Sequence, residues 1–379
     1  MARIASISRV LFFLVAFALL GGLYGCVGKQ LQQSIPTSGA DPVSSTAEPL
    51  NGTPITLPNG TGWDLGDIAV YFTNPRSVIA YQKMDGIEQY LARSIDASRV
   101  SIDIAIYHFD NYTLQKAILD AYHRGVSVRM VTESDNQKDF STTKLRDAGI
   151  PIVLDTNPGL MHDKFVIIDG VEVWTGSANF SDNSFYQDWN NLIRIRSRQL
   201  AQNYQQEFNL MFDRGIFGWK NTPALPYPSV FINGKQIENM FSPDDEPARR
   251  IVEILNGSKK SIYFYNYALT GEDFGDAMVR AKDRGVDVSG ILDDQLAKGK
   301  GSEMEKLTSH GISVNTDDNS SLLHHKVFII DEAIVIVGSY NFSANAERRN
   351  DENLLIIHDP TVAQAFLAEF RVLNTIFAQ

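Results

Sequence analysis

The stretch His162-Asp163-Lys164-Phe165-Val166-Ile167-Ile168-Asp169-Gly170 decides the fold. It recurs 162 residues later as His324-His325-Lys326-Val327-Phe328-Ile329-Ile330-Asp331-Glu332. In both stretches a histidine and a lysine two residues apart precede four apolar residues and an aspartate. Side chains alternate along a strand, so the histidine and lysine of each pair share one face. The apolar run followed by Asp-Gly or Asp-Glu predicts a strand that enters a hairpin turn.

A second element follows each stretch at the same spacing. Six residues separate Asp169 from Gly176-Ser177-Ala178-Asn179, and six separate Asp331 from Gly338-Ser339-Tyr340-Asn341. A histidine beside a lysine is usually only a surface pair when the pattern occurs once. Two occurrences with matched tails indicate a functional site.

The repetition extends outward from these motifs. Residues 91–133 align with residues 251–293 without a gap, and two extra residues in the second copy then bring the motifs into register. The boundary between the copies falls in the Gly/Pro-rich stretch from Arg214 to Ser229. The sequence therefore predicts two copies of one structural unit, over residues 68–220 and 230–379.

Strand and helix patterns alternate within each copy. Val100–Tyr107 is typical of a strand, Thr113–Arg124 of an amphipathic helix ending at Gly125, and Val126–Val131 of the next strand. We therefore expect an α/β fold with two similar halves, each a mixed β-sheet flanked by helices. The halves should pack about a pseudo-twofold axis with the active site between them.

Such packing would bring two imidazoles and two ammonium groups to one point. The cations, with amide and hydroxyl donors, would hold the non-bridging oxygens of a phosphodiester as charge builds on them. One histidine can attack phosphorus while the other protonates the leaving oxygen. No carboxylate or Cys/His cluster with metal-ligand spacing lies near the motifs, so the sequence predicts no metal and no cofactor. The candidate residues for this site are His162, Lys164, His324, Lys326, Asn179, Asn341, Ser177 and Ser339.

The twin pattern His-x-Lys-x4-Asp-x6-Gly-Ser-x-Asn resembles the signature of the phospholipase D superfamily, over nearly everything from about residue 68 to the C-terminus. The resemblance implies a two-step phosphodiester cleavage through a covalent phosphohistidine that water then hydrolyses.

The resemblance also draws attention to the position eleven residues after each motif asparagine, where the family usually has an acid. Here it is Glu352 in the second copy but Asn190 in the first, with Asp188 two residues earlier. Related enzymes suggest that each imidazole is oriented from the opposite half, which would pair His162 with Glu352 and His324 with Asn190. A carboxylate stabilises positive charge on an imidazole and an amide does not. We therefore expect His162 to be the nucleophile and His324 the acid.

Several other residues are given structural or open interpretations. Asp169 and Asp331 are expected to fix the hairpin turns rather than touch substrate. His325 should face away from His324. Tyr107, Tyr267 and Trp189 suit either a cleft or the core. We expect the unmatched histidines to be surface or loop residues: His108, His123, His310 and His358.

The N-terminus has the pattern of an export signal over residues 1–26, with a basic start and the apolar run Val10–Leu20. Leu23-Tyr24-Gly25-Cys26 resembles a bacterial lipoprotein cleavage box, which implies lipid on Cys26. An uncleaved membrane anchor is the alternative. Residues 27–67, rich in Ser, Thr, Pro and Gly, are predicted to be a flexible stalk. The protein is thus expected to be exported and anchored in the cell envelope.

The formal net charge of −11 argues mildly against a general nucleic-acid binder. With the predicted anchor, it favours a phospholipid substrate and hydrolysis of its head group by a monomer. A nuclease and a phosphatidyl transferase of the cardiolipin synthase type remain alternatives, because they use the same chemistry. From another class, a non-catalytic envelope binding module is the alternative, although such a module has no need of both histidines.

Overall fold

The computed structural model describes residues 50–219, 224–318 and 320–378. The predicted export signal, Cys26 and most of the predicted stalk lie outside the described residues. The first copy contributes nine strands: β1 (Thr53–Leu57), β2 (Gly60–Asp64), β3 (Ile68–Thr73), β4 (Ser101–Ile106), β5 (Ser127–Glu133), β6 (Ile152–Asp155), β7 (Lys164–Ile168), β8 (Glu172–Gly176) and β9 (Asn191–Arg196). Its helices are α1 (Glu88–Ala97), α2 (Tyr112–His123), α3 (Phe140–Asp147), α4 (Asp182–Tyr186) and α5 (Arg198–Arg214).

The second copy repeats this order. Its strands are β10 (Val230–Ile232), β11 (Lys235–Ser242), β12 (Ser261–Asn266), β13 (Asp287–Leu292), β14 (Ser313–Thr316), β15 (Lys326–Ile330), β16 (Ile334–Gly338) and β17 (Glu352–Ile357). Its helices are α6 (Pro247–Gly257), α7 (Glu272–Asp283), α8 (Asp294–Ala297), α9 (Met304–Ser309), α10 (Ala344–Arg348) and α11 (Pro360–Phe377).

The two sheets have one topology. The first runs β1-β2-β3-β9-β8-β7-β4-β5-β6 and the second β10-β11-β17-β16-β15-β12-β13-β14. In each sheet, the last three strands of this order pair in parallel, β4-β5-β6 in the first and β12-β13-β14 in the second, and the other neighbouring strands pair antiparallel. The predicted α/β fold with two similar halves, each a mixed sheet with helices, is confirmed.

The motif aspartates hold the ends of the central hairpins. Asp169 has φ 52° and its carboxylate accepts the N–H groups of Arg99, Val100 and Ser101 at 2.7–3.2 Å. Asp331 repeats the arrangement on Lys259, Lys260 and Ser261. The expectation that these aspartates fix the turns is confirmed. Each pins its hairpin to the start of the neighbouring strand, β4 or β12.

The largest core lies between the two sheets. Helix α5 contributes Tyr204 and Phe208 to it, α11 contributes Phe366 and Phe370, and both sheets add residues. Two further cores lie under the outer helices, one in each copy. The inter-sheet core fixes the copies against each other, and Pro49–Gln379 form one compact unit.

The predicted stalk extends too far, because residues 53–64 are the hairpin β1–β2. This hairpin pairs with β3 and extends the first sheet. Pro54 and Pro58 suggested a linker by composition, but proline is tolerated on an edge strand, where its missing N–H is not needed. In the described part of the chain, none of the helices is both long and apolar enough to cross a membrane.

Candidate active site

The two motif histidines lie where the copies exchange backbone hydrogen bonds. The His162 N–H donates to the Asp351 carbonyl, and the His324 N–H donates to the Trp189 carbonyl, both at 2.9 Å. The return bonds run from Asp351 to Leu160 and from Trp189 to Leu322. Each histidine is therefore positioned by the residue just before the acid position of the other copy.

The crossed pairing of side chains is present. His162 Nδ1 lies 2.7 Å from Glu352 Oε2, and His324 Nδ1 lies 2.8 Å from Asn190 Oδ1. A carboxylate or an amide oxygen only accepts, so Nδ1 carries the proton in both rings. Each imidazole is thus held with Nε2 as its free nitrogen for chemistry.

Each lysine packs beside the histidine of its own motif. Lys164 Nζ donates to the His162 carbonyl at 2.9 Å, and Lys326 Nζ to the His324 carbonyl at 2.7 Å. Both lysines are buried, with 1% and 0% exposure. A tyrosine covers each pair: Tyr107 contacts His162 and Lys164, and Tyr267 contacts His324 and Lys326. These two tyrosines belong to the site, whereas Trp189 is buried in the core.

The motif serines donate to the partners of the two histidines, which corrects their expected role as donors to phosphate oxygens. Ser177 and Ser339 are fully buried. Ser177 Oγ donates to Asn190 Oδ1 at 2.9 Å, and Ser339 Oγ donates to Glu352 Oε2 at 2.7 Å. A hydroxyl has a single proton, so these serines orient the partner of each histidine.

The motif asparagines occupy equivalent, half-buried places two residues after each motif serine. Asn179 Oδ1 and Asn341 Oδ1 are buried, and neither has a hydrogen-bond partner within the described residues. A buried amide oxygen left unpaired costs free energy. Their role as donors to phosphate oxygens remains a prediction.

Burial and neighbouring positive charges lower the pKa values of the site histidines and lysines, which favours their neutral forms. Burial lowers the pKa of His324 well below its usual value, and Lys326 and Lys164 lower it further. Burial also lowers the pKa of His162, but there the Glu352 carboxylate opposes the shift. Burial lowers the pKa of Lys164 to about 7 and that of Lys326 well below its usual value. A phosphate group bound between the lysines would favour their charged forms and so raise both pKa values.

Carboxylates flank the two histidine–lysine pairs on both sides. The charges of Glu133, Asp135 and Asp139 act on Tyr107, and those of Asp293 and Asp188 act on Tyr267. Burial raises the pKa of Asp188 to about 6. The two lysines and two histidines at the centre of the site therefore lie between two groups of carboxylates. Among the described residues, no three His, Cys, Asp or Glu side chains gather as metal ligands would.

Three asparagines support the site and were missed by the sequence analysis. Asn350 Nδ2 donates to Glu352 Oε1 at 3.1 Å, Asn353 Oδ1 accepts the Lys164 N–H, and Asn191 Nδ2 contacts His325 Nδ1 at 2.8 Å. Asn191 and Asn353 occupy equivalent positions directly after Asn190 and Glu352. That repetition is the signal that could have identified them.

The remaining histidines are placed as expected. His325 is buried, facing Tyr265 and Phe72 rather than following His324 into the site. His108 lies 3.3 Å from Asp139, and His358 lies 2.7 Å from Glu238. His123 and His310 are exposed.

Comparison with known proteins supports the motif-based resemblance. The family described as "Cardiolipin synthase, PLD-like domain" matches residues 91–212 and again residues 251–373. The phospholipase D of Rickettsia typhi is 31% identical over 160 residues, which cover 42% of this chain and 78% of that protein. The mitochondrial cardiolipin hydrolase of Chlamydomonas reinhardtii is 26% identical over 178 residues, covering 41% and 80%.

Solved structures show the same architecture. The phosphatidylserine synthase of Haemophilus influenzae superposes with a TM-score of 0.58 at 15% identity, over 77% of this chain and 83% of that one. A polyphosphate kinase from Porphyromonas gingivalis gives a TM-score of 0.56 at 14% identity, over 80% and 50%. Likeness at such low identity concerns the fold alone.

Proposed function

The chain belongs to the phospholipase D superfamily, through its family of cardiolipin synthase-type domains, and on this premise we propose that it hydrolyses the head-group phosphodiester of phospholipids. The observation that carries the proposal is the crossed site. Two imidazoles with free Nε2 atoms stand beside two buried lysines, and each imidazole is held by the opposite copy.

The reaction proceeds in two steps. His324 takes up a proton at Nε2 from solvent when the anionic phosphodiester binds beside it, because a nearby negative charge favours the imidazolium. His162 Nε2 then attacks phosphorus while His324 gives that proton to the departing oxygen, and the P–O bond to the leaving alcohol breaks. Water then attacks the phosphohistidine with His324 as base, which releases the phosphate monoester and restores His162. Lys164 and Lys326 stabilise the charge on the non-bridging oxygens in both steps.

The charge distribution favours a lipid over a nucleic acid. A nucleic-acid strand presents a phosphate at every nucleotide, and its binding depends on clustered basic residues. Here acidic side chains flank the centre on both sides, and the whole chain carries −11. One phosphodiester on an otherwise apolar molecule avoids this repulsion.

Purified protein should be assayed on phosphatidylcholine, cardiolipin and single-stranded DNA in parallel, with EDTA present because no metal is required. We expect lipid hydrolysis by the wild type and none by His162→Ala. Faster cleavage of DNA than of either lipid would refute the proposed substrate. Transfer of the phosphatidyl group to an added alcohol in preference to water would identify a transferase instead.

We also propose export and anchoring through lipid on Cys26. Cys26→Ser should release the protein from the membrane fraction or block its processing. Full membrane retention with an uncleaved N-terminus would favour the plain anchor.

A further inference from the structure

The segment after β3 exposes an unusual concentration of apolar side chains. Nine large apolar residues are exposed in the described parts of the chain, and three of them lie within residues 74–86, here called the rim loop. Val78 is 83% exposed, Tyr81 79% and Met84 56%. Single exposed apolar residues are ordinary, but several on one loop mark a contact surface.

The rim loop borders the active site. It begins directly after Thr73, whose Oγ accepts the Asn190 N–H at 2.7 Å, and Asn190 holds His324. Lys83 Nζ then bonds Asp182 at 3.0 Å, three residues after the motif residue Asn179. Arg76 bonds Asp318, in the segment that leads to His324. The loop thus joins site-bordering segments of both copies.

The backbone holds these apolar groups outward. Lys83 and Asp85, on either side of Met84, have φ of 53° and 55°, a region that non-glycine residues adopt only at an energetic cost. Ser77 Oγ donates to the Pro58 carbonyl at 2.6 Å, and Asn59 bridges Gly86. A loop that is fixed at its base and has two strained residues near its C-terminal end is consistent with a functional constraint.

We propose that the rim loop is the surface by which the protein docks on a phospholipid bilayer, with Val78, Tyr81 and Met84 entering the interface. This inference rests on the proposed lipid substrate and names how that substrate is reached. Tyrosine suits the boundary between headgroups and acyl chains, because its ring is apolar and its hydroxyl is polar. Arg76 and Lys83 are already paired with acids, so the contact is apolar rather than electrostatic and should tolerate zwitterionic lipid.

The N-terminal part of the chain is compatible with this contact. Residues 27–49 separate Cys26 from the described domain, and 23 residues span at most about 80 Å. That reach exceeds the domain's radius of gyration of about 20 Å. The anchor would keep the protein near the bilayer, and the rim loop would set its orientation.

A labelled full-length protein tests the contact directly. Met84→Cys in a Cys26→Ser background carries one environment-sensitive fluorophore, and Phe231→Cys in the same background is the matched control, since Phe231 is 62% exposed on β10. On addition of phosphatidylcholine vesicles, the emission of the label at residue 84 should shift to the blue while that at residue 231 stays unchanged. No shift at residue 84, or equal shifts at both, would overturn the proposal.

A second experiment links the contact to turnover. The triple variant Val78→Ser/Tyr81→Ser/Met84→Ser should need about tenfold more vesicles for half-maximal rate. Its turnover of soluble bis(p-nitrophenyl) phosphate should match the wild type, which also shows that it folds. Unchanged vesicle kinetics would refute docking by this loop. If the wild type hydrolyses the soluble ester but no phospholipid, the proposed substrate fails, and the label at residue 84 still decides the docking.

Discussion

The two lobes of the active site differ in one charge. His162 lies against the carboxylate of Glu352, whereas His324 lies against the neutral amide of Asn190, in otherwise equivalent surroundings of lysine, tyrosine and serine. A nucleophile that becomes a cationic phosphohistidine benefits from a carboxylate on its far nitrogen. A residue that donates a proton in the first step and acts as a neutral base in the second benefits from having none, because without a carboxylate the imidazolium formed on substrate binding gives up its proton easily. The difference indicates that the repeat gives both histidines the same geometry, and that the residue at position 190 or 352 determines which histidine is the nucleophile and which is the acid.

The strongest test of this difference is to remove each imidazole. His162→Ala should abolish turnover. His324→Ala should lower the turnover rate by about a hundredfold to ten-thousandfold and should still turn over substrates with good leaving groups. His123→Ala, on an exposed helical residue, is the control. Rapid quenching without acid followed by peptide mass spectrometry should find the phosphoryl adduct on His162. An adduct found only on His324 would reverse the roles.

The next effect concerns the two orienting residues. Glu352→Gln removes the charge that supports the intermediate and should lower kcat by about a hundredfold or more. Asn190→Ala removes only a neutral acceptor from His324 and should lower kcat by about tenfold. Single-turnover rates for formation of the adduct would compare them. Equal losses in both variants would show that the carboxylate has no special part.

A smaller effect is expected in the pH dependence of anion binding. Burial lowers the pKa of Lys164 to about 7, so its charge is present below pH 7 and lost above it until a ligand restores it. Dimethyl phosphate carries one negative charge throughout this range. Its affinity should therefore fall between pH 7 and 9, by at most about tenfold per pH unit for each proton that the site takes up on binding. Lys164→Arg should flatten the profile, because arginine stays charged. Calorimetric titration showing constant affinity in the wild type would contradict the assignment.

The smallest expected difference separates the two hairpin turns. Gly170 and Glu332 are equivalent and both have positive φ, at 61° and 55°. Glu332→Gly should raise the free energy of unfolding by roughly 0.5–1 kcal/mol, since relief of the left-handed strain exceeds the entropy cost of glycine. Gly170→Glu should lower it by a similar amount. Urea unfolding measures both, and turnover should be unaffected because the turns lie at the far end of β7 and β15 from the lysines.

The sequence predicted the features that repeat along the chain. It missed the features that depend on how deeply a residue is buried in the folded protein. The twin motifs predicted the halves and the convergence of His162 with His324, because period and spacing survive in the linear chain. The crossed partners came from the family resemblance. Alternation gives the face of a strand but not its distance from solvent, so it could not show that Ser177 and Ser339 are buried and donate to Asn190 and Glu352. Asn350 holds Glu352 from within its own copy, and the first copy has Asp188 at the equivalent position, so no repeated pattern reveals it. The hairpin β1–β2 was missed because its prolines gave the segment the composition of a linker.

The crossed backbone bonds at His162 and His324 also bear on how such a site can diverge. A protein that assembled this site from two identical subunits would place the same residue beside both histidines, and any substitution would appear twice. With both copies in one chain, position 190 and position 352 can change independently. Covalent linkage of the copies therefore allows the two histidines to take different chemical roles, which identical subunits could not maintain. The difference between Asn190 and Glu352 is the evidence for this in the sequence.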